Sequence, residues 1–224
     1  MKSDLTSERH ILSREIKAQC NAVFFTILLG FTTVLPLPVA ADVDILIAPE
    51  TLRLIPRKQV VLVDTRSSFK YLLGHVPGAV HLGNWEDFTH RVDGVRGLLN
   101  EDKGFIAKRL KPFGITHNKT IVVYGEPDDP WRADGRFLWM FERYGFNRVA
   151  ILEGGLVGWQ KTGGAIERGR SNKPSPSSLA AGDIHLNDLV AASQKWIAKR
   201  LGSNNLTIID NRTRKEYDGA VPYG

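Results

Sequence analysis

Residues 121–135 read IVVYGEPDDPWRADG and hold three carboxylates, Glu126, Asp128 and Asp129, between an apolar run and a helix-forming one. A strand passing through a tight loop into a helix N-terminus gathers free backbone N–H groups and suits an anion. This loop instead carries acids, and its Pro127 and Pro130 have no N–H to offer. A carboxylate-rich cation site is the converse possibility, but the two prolines restrict how the acids could converge, so solvated acids are the simpler reading. Arg132 and Arg136 stand close by and are expected to pair with them.

Other chemistry-bearing residues are more scattered. Asp64 and Arg66 follow an apolar run, where open α/β sheets place ligands; a structural ion pair fixing the next turn is the simpler role. His75, in GHVPGAVHL, could act as an acid or base, yet between Gly74 and a Val-Pro-Gly turn it reads as a turn-fixing hydrogen-bond residue. His81, His90 and His117 show no ligand spacing with one another, so no metal is expected. Gly154 and Gly155, in LEGG, do not form a dinucleotide fingerprint, and no cofactor is expected.

The elements that must position these residues alternate. QVVLVDTR (59–66) reads as a buried strand, SSFKYLLG as a Ser-capped short helix ended by Gly74, and GAVHL (78–82) as another strand. KGFIAKRLKPFGI contains a helix with Phe105, Ile106 and Leu110 on one side. TIVVYG is a strand, and RADGRFLWMFERYG a helix closed by Gly145. NRVAILEGG is a strand and GLVGWQKTGG a short helix. Such alternation argues for a parallel sheet covered by helices on both faces.

The chain has 224 residues, 42% hydrophobic and 24% charged, with a formal net charge of +6. No dense Lys/Arg block with interleaved aromatics appears, so a mildly basic surface is a better reading than a nucleic-acid footprint. Residues 1–20 mix charges, and the apolar run NAVFFTILLGFTTVLPLPVAA follows. That layout, with Val39-Ala40-Ala41 at its end, is a secretory signal with cleavage after Ala41. An uncleaved anchor over residues 22–41 is the alternative. Either places the rest of the chain beyond a membrane, periplasmic in a bacterium. The single cysteine, Cys20, precedes the apolar core. If the signal is removed, no thiol remains for a disulfide, a metal or catalysis.

Residues 163–183, GGAIERGRSNKPSPSSLAAGD, are rich in Gly, Pro and Ser and read as a linker. LNDLVAASQKWIAKRLG then reads as an amphipathic helix and LTIIDNR as a buried strand. That strand repeats an earlier one. VVLVDTRSSFKY (60–71) and LTIIDNRTRKEY (206–217) share Asp-x-Arg and a following Tyr, with Asp64 and Asp210 lying 146 positions apart. Asp210 and Arg212 thus mirror Asp64 and Arg66. The expected organisation is a signal over 1–41, a first domain over 42–165, a linker over 166–183 and the opening of a second domain over 184–224. Without partner elements, Ile208, Ile209 and the apolar face around Trp196 should lie exposed.

Together, DTR…GHVPGAVHL, IVVYG and RVAILEGGLVGW resemble the rhodanese (thiosulfate and 3-mercaptopyruvate sulfurtransferase) domain over about residues 43–165. The order of motifs is specific, above all GHVPGA and the GG-x-x-x-W element from Gly154 through Gly155 to Trp159. The Asp-x-Arg repeat resembles the tandem form, which implies an inactive first domain and a catalytic cysteine in the second. The resemblance further implies a small sulfur-containing anion as substrate. In active members a cysteine follows the central strand, and a loop aims N–H groups at its sulfur to stabilise thiolate and persulfide. Here Gly125 occupies that position. Without a nucleophile, and with acids in its loop, the first domain is expected to be a non-catalytic module.

Overall fold

A computed structural model describes residues 44–129, 132–171 and 174–221. The signal or anchor expected over 1–41, Pro130 and its neighbour Trp131 lie outside the described residues. In chain order the elements are β1 (Leu46–Ile47), α1 (Pro49–Leu54), β2 (Val60–Asp64), α2 (Ser68–Leu73), β3 (Thr89–Val92), β4 (Val95–Leu99) and α3 (Lys103–Leu110). After them come β5 (Thr120–Tyr124), α4 (Ala133–Arg143), β6 (Val149–Leu152), α5 (Gly155–Lys161), α6 (Gln194–Ala198) and α7 (Arg214–Tyr217).

The runs VVLVD and TIVVY are buried at every position, which only a sheet covered on both faces allows. They form the centre of a four-stranded sheet in the order β1-β6-β5-β2, parallel throughout. Alternate side chains divide between two cores. Val61, Val63, Ile121 and Val123 pack with Ile106 and Leu110 of α3 and with Phe137, Met140 and Phe141 of α4. Val60, Leu62, Val122 and Tyr124 face the other way, onto Leu52 of α1 and Leu156 and Trp159 of α5. The helices thus cover both faces, as expected.

Local chemistry sets the helix ends. Ser67 caps α2 by accepting from Lys70 N, and Asp102 caps α3 by accepting from Phe105 N at 2.6 Å. Gly145, at φ +89°, closes the turn after α4 where the His185 carbonyl leaves no space for a Cβ.

Three expected elements differ. GAVHL is not a full strand: Val80 alone makes a parallel bridge to Val63, with Asp64 N donating to Val80 O at 2.9 Å and Val80 N to Leu62 O at 2.8 Å. The long helix expected over 186–202 is broken into a turn at Asp188–Val190 and the five-residue α6. The side chains of Asn187 and Ser193 accept from nearby backbone N–H groups and so restart the chain twice. LTIIDNR forms no strand, because no described strand lies alongside to pair with it; Ile208 and Ile209 are 60% and 83% exposed. Conversely, β3 and β4 make an antiparallel hairpin through Asp93-Gly94, at φ +48° and +83°, an element the sequence analysis did not assign.

The Gly/Pro/Ser-rich stretch does not stand clear of the sheet domain. Leu179 and Ile184 are buried in the α3/α4 core, and Ser177 N donates to Lys111 O at 2.9 Å. Trp139 Nε1 donates to Val190 O at 2.7 Å, which extends the packed region to about residue 190. Beyond it, Trp196, Ile208, Ile209 and Tyr217 are all exposed.

Candidate functional site

The ends of β2, β5 and α5 converge on Gly125. Thr65 donates to the Tyr124 carbonyl through its N–H at 2.9 Å and its hydroxyl at 3.0 Å. Leu156 N donates to the Gly125 carbonyl at 3.3 Å. This close approach explains Gly155: it sits at φ +55°, and a Cβ there would collide with the Gly125 carbonyl. Gly154, at φ +67°, makes the turn that brings the two together.

A β-carbon on Gly125 would meet Thr65 Oγ1 at 3.2 Å and the Cβ and Cγ of Asp134 at 3.7 Å each. Asp134 is buried and held by Arg132, whose Nε and Nη2 each donate to it at 3.1 Å. The hydrogen bond and charge of Asp134 hold the Arg132 guanidinium still more firmly in its charged form. Its hydrogen-bonded partner is Asp134 at the start of α4, an acid the sequence analysis did not single out, while the charge of Asp129 from the loop acts on it in the expected way.

The loop also occupies N-terminal donors of α4. Ala133 N donates to Asp129 Oδ2 at 3.3 Å, and Gly135 N to Asp134 Oδ1 at 2.8 Å. Glu126 turns the other way, into ion pairs with Lys70 and, at 3.7 Å, with Arg66. Asp128 has no ion pair among the described residues. Among the described residues, carboxylates of Asp129 and Asp134 thus take up N–H groups at the start of α4.

Asp64 and Arg66 form a buried fork. Arg66 Nε lies 3.0 and 3.2 Å from the two carboxylate oxygens, Nη2 donates to Oδ2 at 2.6 Å and to the Gly74 carbonyl at 2.5 Å. Burial works against the guanidinium, but the hydrogen bond and charge of Asp64 outweigh it and keep Arg66 firmly cationic. Tyr124 accepts from Val76 N through its hydroxyl at 3.0 Å, and burial pushes its ionisation upward, with Asp64 acting the same way. These contacts tie the β2 end to the GHVPGA turn.

His75 is fully buried and its ring stacks on Tyr71 with centroids 4.0 Å apart. Nδ1 donates to the Tyr71 carbonyl at 2.8 Å, which leaves Nε2 to accept from the Ser171 hydroxyl at 2.7 Å. Both nitrogens are thus committed to structure. His81 donates to the Arg66 carbonyl and His117 to the Asp183 carbonyl, each at 2.7 Å. Trp159 is buried and donates to the Ala165 carbonyl at 2.8 Å. Among the described residues no group of three or more His, Cys, Asp or Glu is placed to hold a metal ion.

Asp210 and Arg212 reproduce the fork almost atom for atom. Arg212 N donates to Oδ1 at 3.0 Å and Nη2 to Oδ2 at 2.6 Å, matching 3.0 and 2.6 Å in the first pair. Thr213 and Glu216 then close a capping box that starts α7, where Ser67 starts α2.

The family model for the rhodanese-like domain matches residues 48–162. The chain belongs to that family. SseB of Mycobacterium tuberculosis is 31% identical over 155 residues, 67% of this chain and 52% of that protein. The thiosulfate sulfurtransferase of Pseudomonas aeruginosa is 29% identical over 184 residues, 81% of this chain and 64% of its own. The chain thus spans between about half and two thirds of these relatives' lengths. Among solved structures, SseA from Escherichia coli, described as a 3-mercaptopyruvate sulfotransferase, superposes with a TM-score of 0.66. It is 22% identical and the match covers 79% of this chain and 69% of SseA, which establishes the shared rhodanese fold. Within that fold, Gly125 follows the central strand, and Gly154, Gly155 and Trp159 pack behind it.

Proposed function

We propose that residues 44–190 form a non-catalytic rhodanese domain of a sulfurtransferase. In this reading the transfer of sulfane sulfur, from thiosulfate or a mercaptopyruvate-like donor to a thiophilic acceptor, belongs to a second rhodanese domain that begins beyond residue 190. The observation that carries the proposal is the pairing of Gly125 with Asp134. A sulfur-transfer site needs a thiolate held in a positive field. Here position 125 has no side chain, and the nearest side-chain groups are a hydroxyl and a buried carboxylate.

The exposed Asp210–Arg212 fork supports the tandem reading. It is the local conformation of the first domain's Asp64–Arg66 turn, formed where no sheet surrounds it. The relatives' names supply the reaction class. The apolar run before Ala41 supports secretion to a periplasm; no helix among the described residues is long and apolar enough to cross a membrane.

A second reading keeps the domain as a binding or regulatory module with the acidic loop as its contact surface. A pull-down with Glu126, Asp128 and Asp129 replaced by their amides separates the two, since only the second reading requires the charges. For the first, sulfur-loading assays on a chain carrying the second domain should give activity that survives Asp134→Asn. Loss of activity specific to that change would contradict a non-catalytic first domain.

A further inference from the structure

An open cavity of about 800 Å³ lies between the β3–β4 hairpin and α4. Arg91, Arg96 and His90 line it from the hairpin, Arg136 and Trp139 from α4, and Trp85 from the turn before β3. Glu86 is the carboxylate among the lining residues. The two exposed hairpin guanidiniums, Arg91 and Arg96, stand against Glu86 in the groove lining and favour an anion there. Arg91 and Arg96 form no ion pair with any described residue and are exposed, so they can turn toward a ligand.

The groove also has an aromatic wall. Trp85 and Trp139 stand with ring centroids 6.3 Å apart at 44°, and Trp85 is anchored edge-on against Phe137. Trp139 spends its N–H on the Val190 carbonyl, so it offers ring surface instead of a donor. Gly97, at φ +79°, has nothing within 4 Å of where a Cβ would stand, which keeps the hairpin side open. Guanidinium forks bind tetrahedral oxyanions with several hydrogen bonds at once, and indole faces hold flat rings. A cavity of this size suits a small molecule.

We infer that this groove binds a small phosphorylated aromatic ligand, its doubly charged phosphate held by the hairpin arginines and its flat ring against Trp85 and Trp139. The inference goes beyond the proposed function and stands without it.

The test is calorimetric titration with AMP, with adenosine and inorganic phosphate as comparison probes and tryptophan fluorescence read in parallel. AMP should bind saturably and quench fluorescence, with adenosine and phosphate each weaker. The Arg91→Glu/Arg96→Glu variant should lose about tenfold or more in AMP affinity, while far-UV circular dichroism stays unchanged. If that variant misfolds, Arg96→Gln alone should still weaken AMP. Failure of AMP to saturate would overturn the inference, as would adenosine or phosphate binding as tightly, or indifference to the arginine changes.

Discussion

Asp134 lies in van der Waals reach of a side chain at Gly125, its Cβ and Cγ each 3.7 Å from where a β-carbon at 125 would stand. The fold builds a strand, a loop and a helix start around this point, and the sequence places the Asp134–Arg132 ion pair beside it.

Installing a thiol is therefore not enough. In Gly125→Cys, made in a Cys20→Ser background, the thiol should ionise at or above the ordinary value of about 8.5. Adding Asp134→Asn should lower it, because the neighbouring negative charge is gone. Thiolate absorbance against pH measures both. A thiol in the single variant that is already ionised below neutral pH would show that Asp134 does not set the local field.

The second expectation concerns the segment after residue 165. Ile184 is fully buried in the α3/α4 core. Ile184→Ala should lower unfolding free energy by about 2–5 kcal/mol, the range for deleting a buried aliphatic side chain. Urea unfolding of both proteins gives the difference. A change under about 0.5 kcal/mol, the level of a surface substitution, would mean this residue is not part of the domain core.

Residues 192–221 should behave differently. Their helices are short and their large apolar side chains are exposed. Amide hydrogen exchange there should be close to that of an unfolded chain, while β2 and β5 are protected to the level of global unfolding. Protection of Leu206–Asp210 equal to that of the sheet would contradict the observed packing.

Glu167 makes stability depend on acid. It accepts from Gly78 N at 2.7 Å, and this bond is the largest cause that holds its pKa below the ordinary 4.5. A carboxylate depressed in the folded state contributes fully above its unfolded pKa and loses that contribution as pH falls through the lower, folded value. The stability gap between the native protein and Glu167→Gln should be constant above about pH 5.5 and shrink below pH 4.5. A gap that widens on acidification would reverse the sign of the argument.

Much of this was legible in the sequence, for reasons tied to particular residues. VVLVD and TIVVY announced doubly covered strands because consecutive apolar positions suit little else. Gly125, Gly154 and Gly155 stood out through their family motif, though the physical reason for Gly155 is a backbone contact visible only in space. Asp134 was not legible. An acid in the first turn of a helix has an ordinary local explanation in the helix dipole, and only the fold brings it beside Gly125. LTIIDNR read as a strand because its local pattern is one, but a strand needs a neighbour. Asp93-Gly94 carried a hairpin signal that its charged flanks obscured.

If residues 44–190 form a non-catalytic domain, as proposed, the purified chain should make no thiocyanate from thiosulfate and cyanide above the uncatalysed background. Saturable thiocyanate production by the chain alone would contradict that proposal.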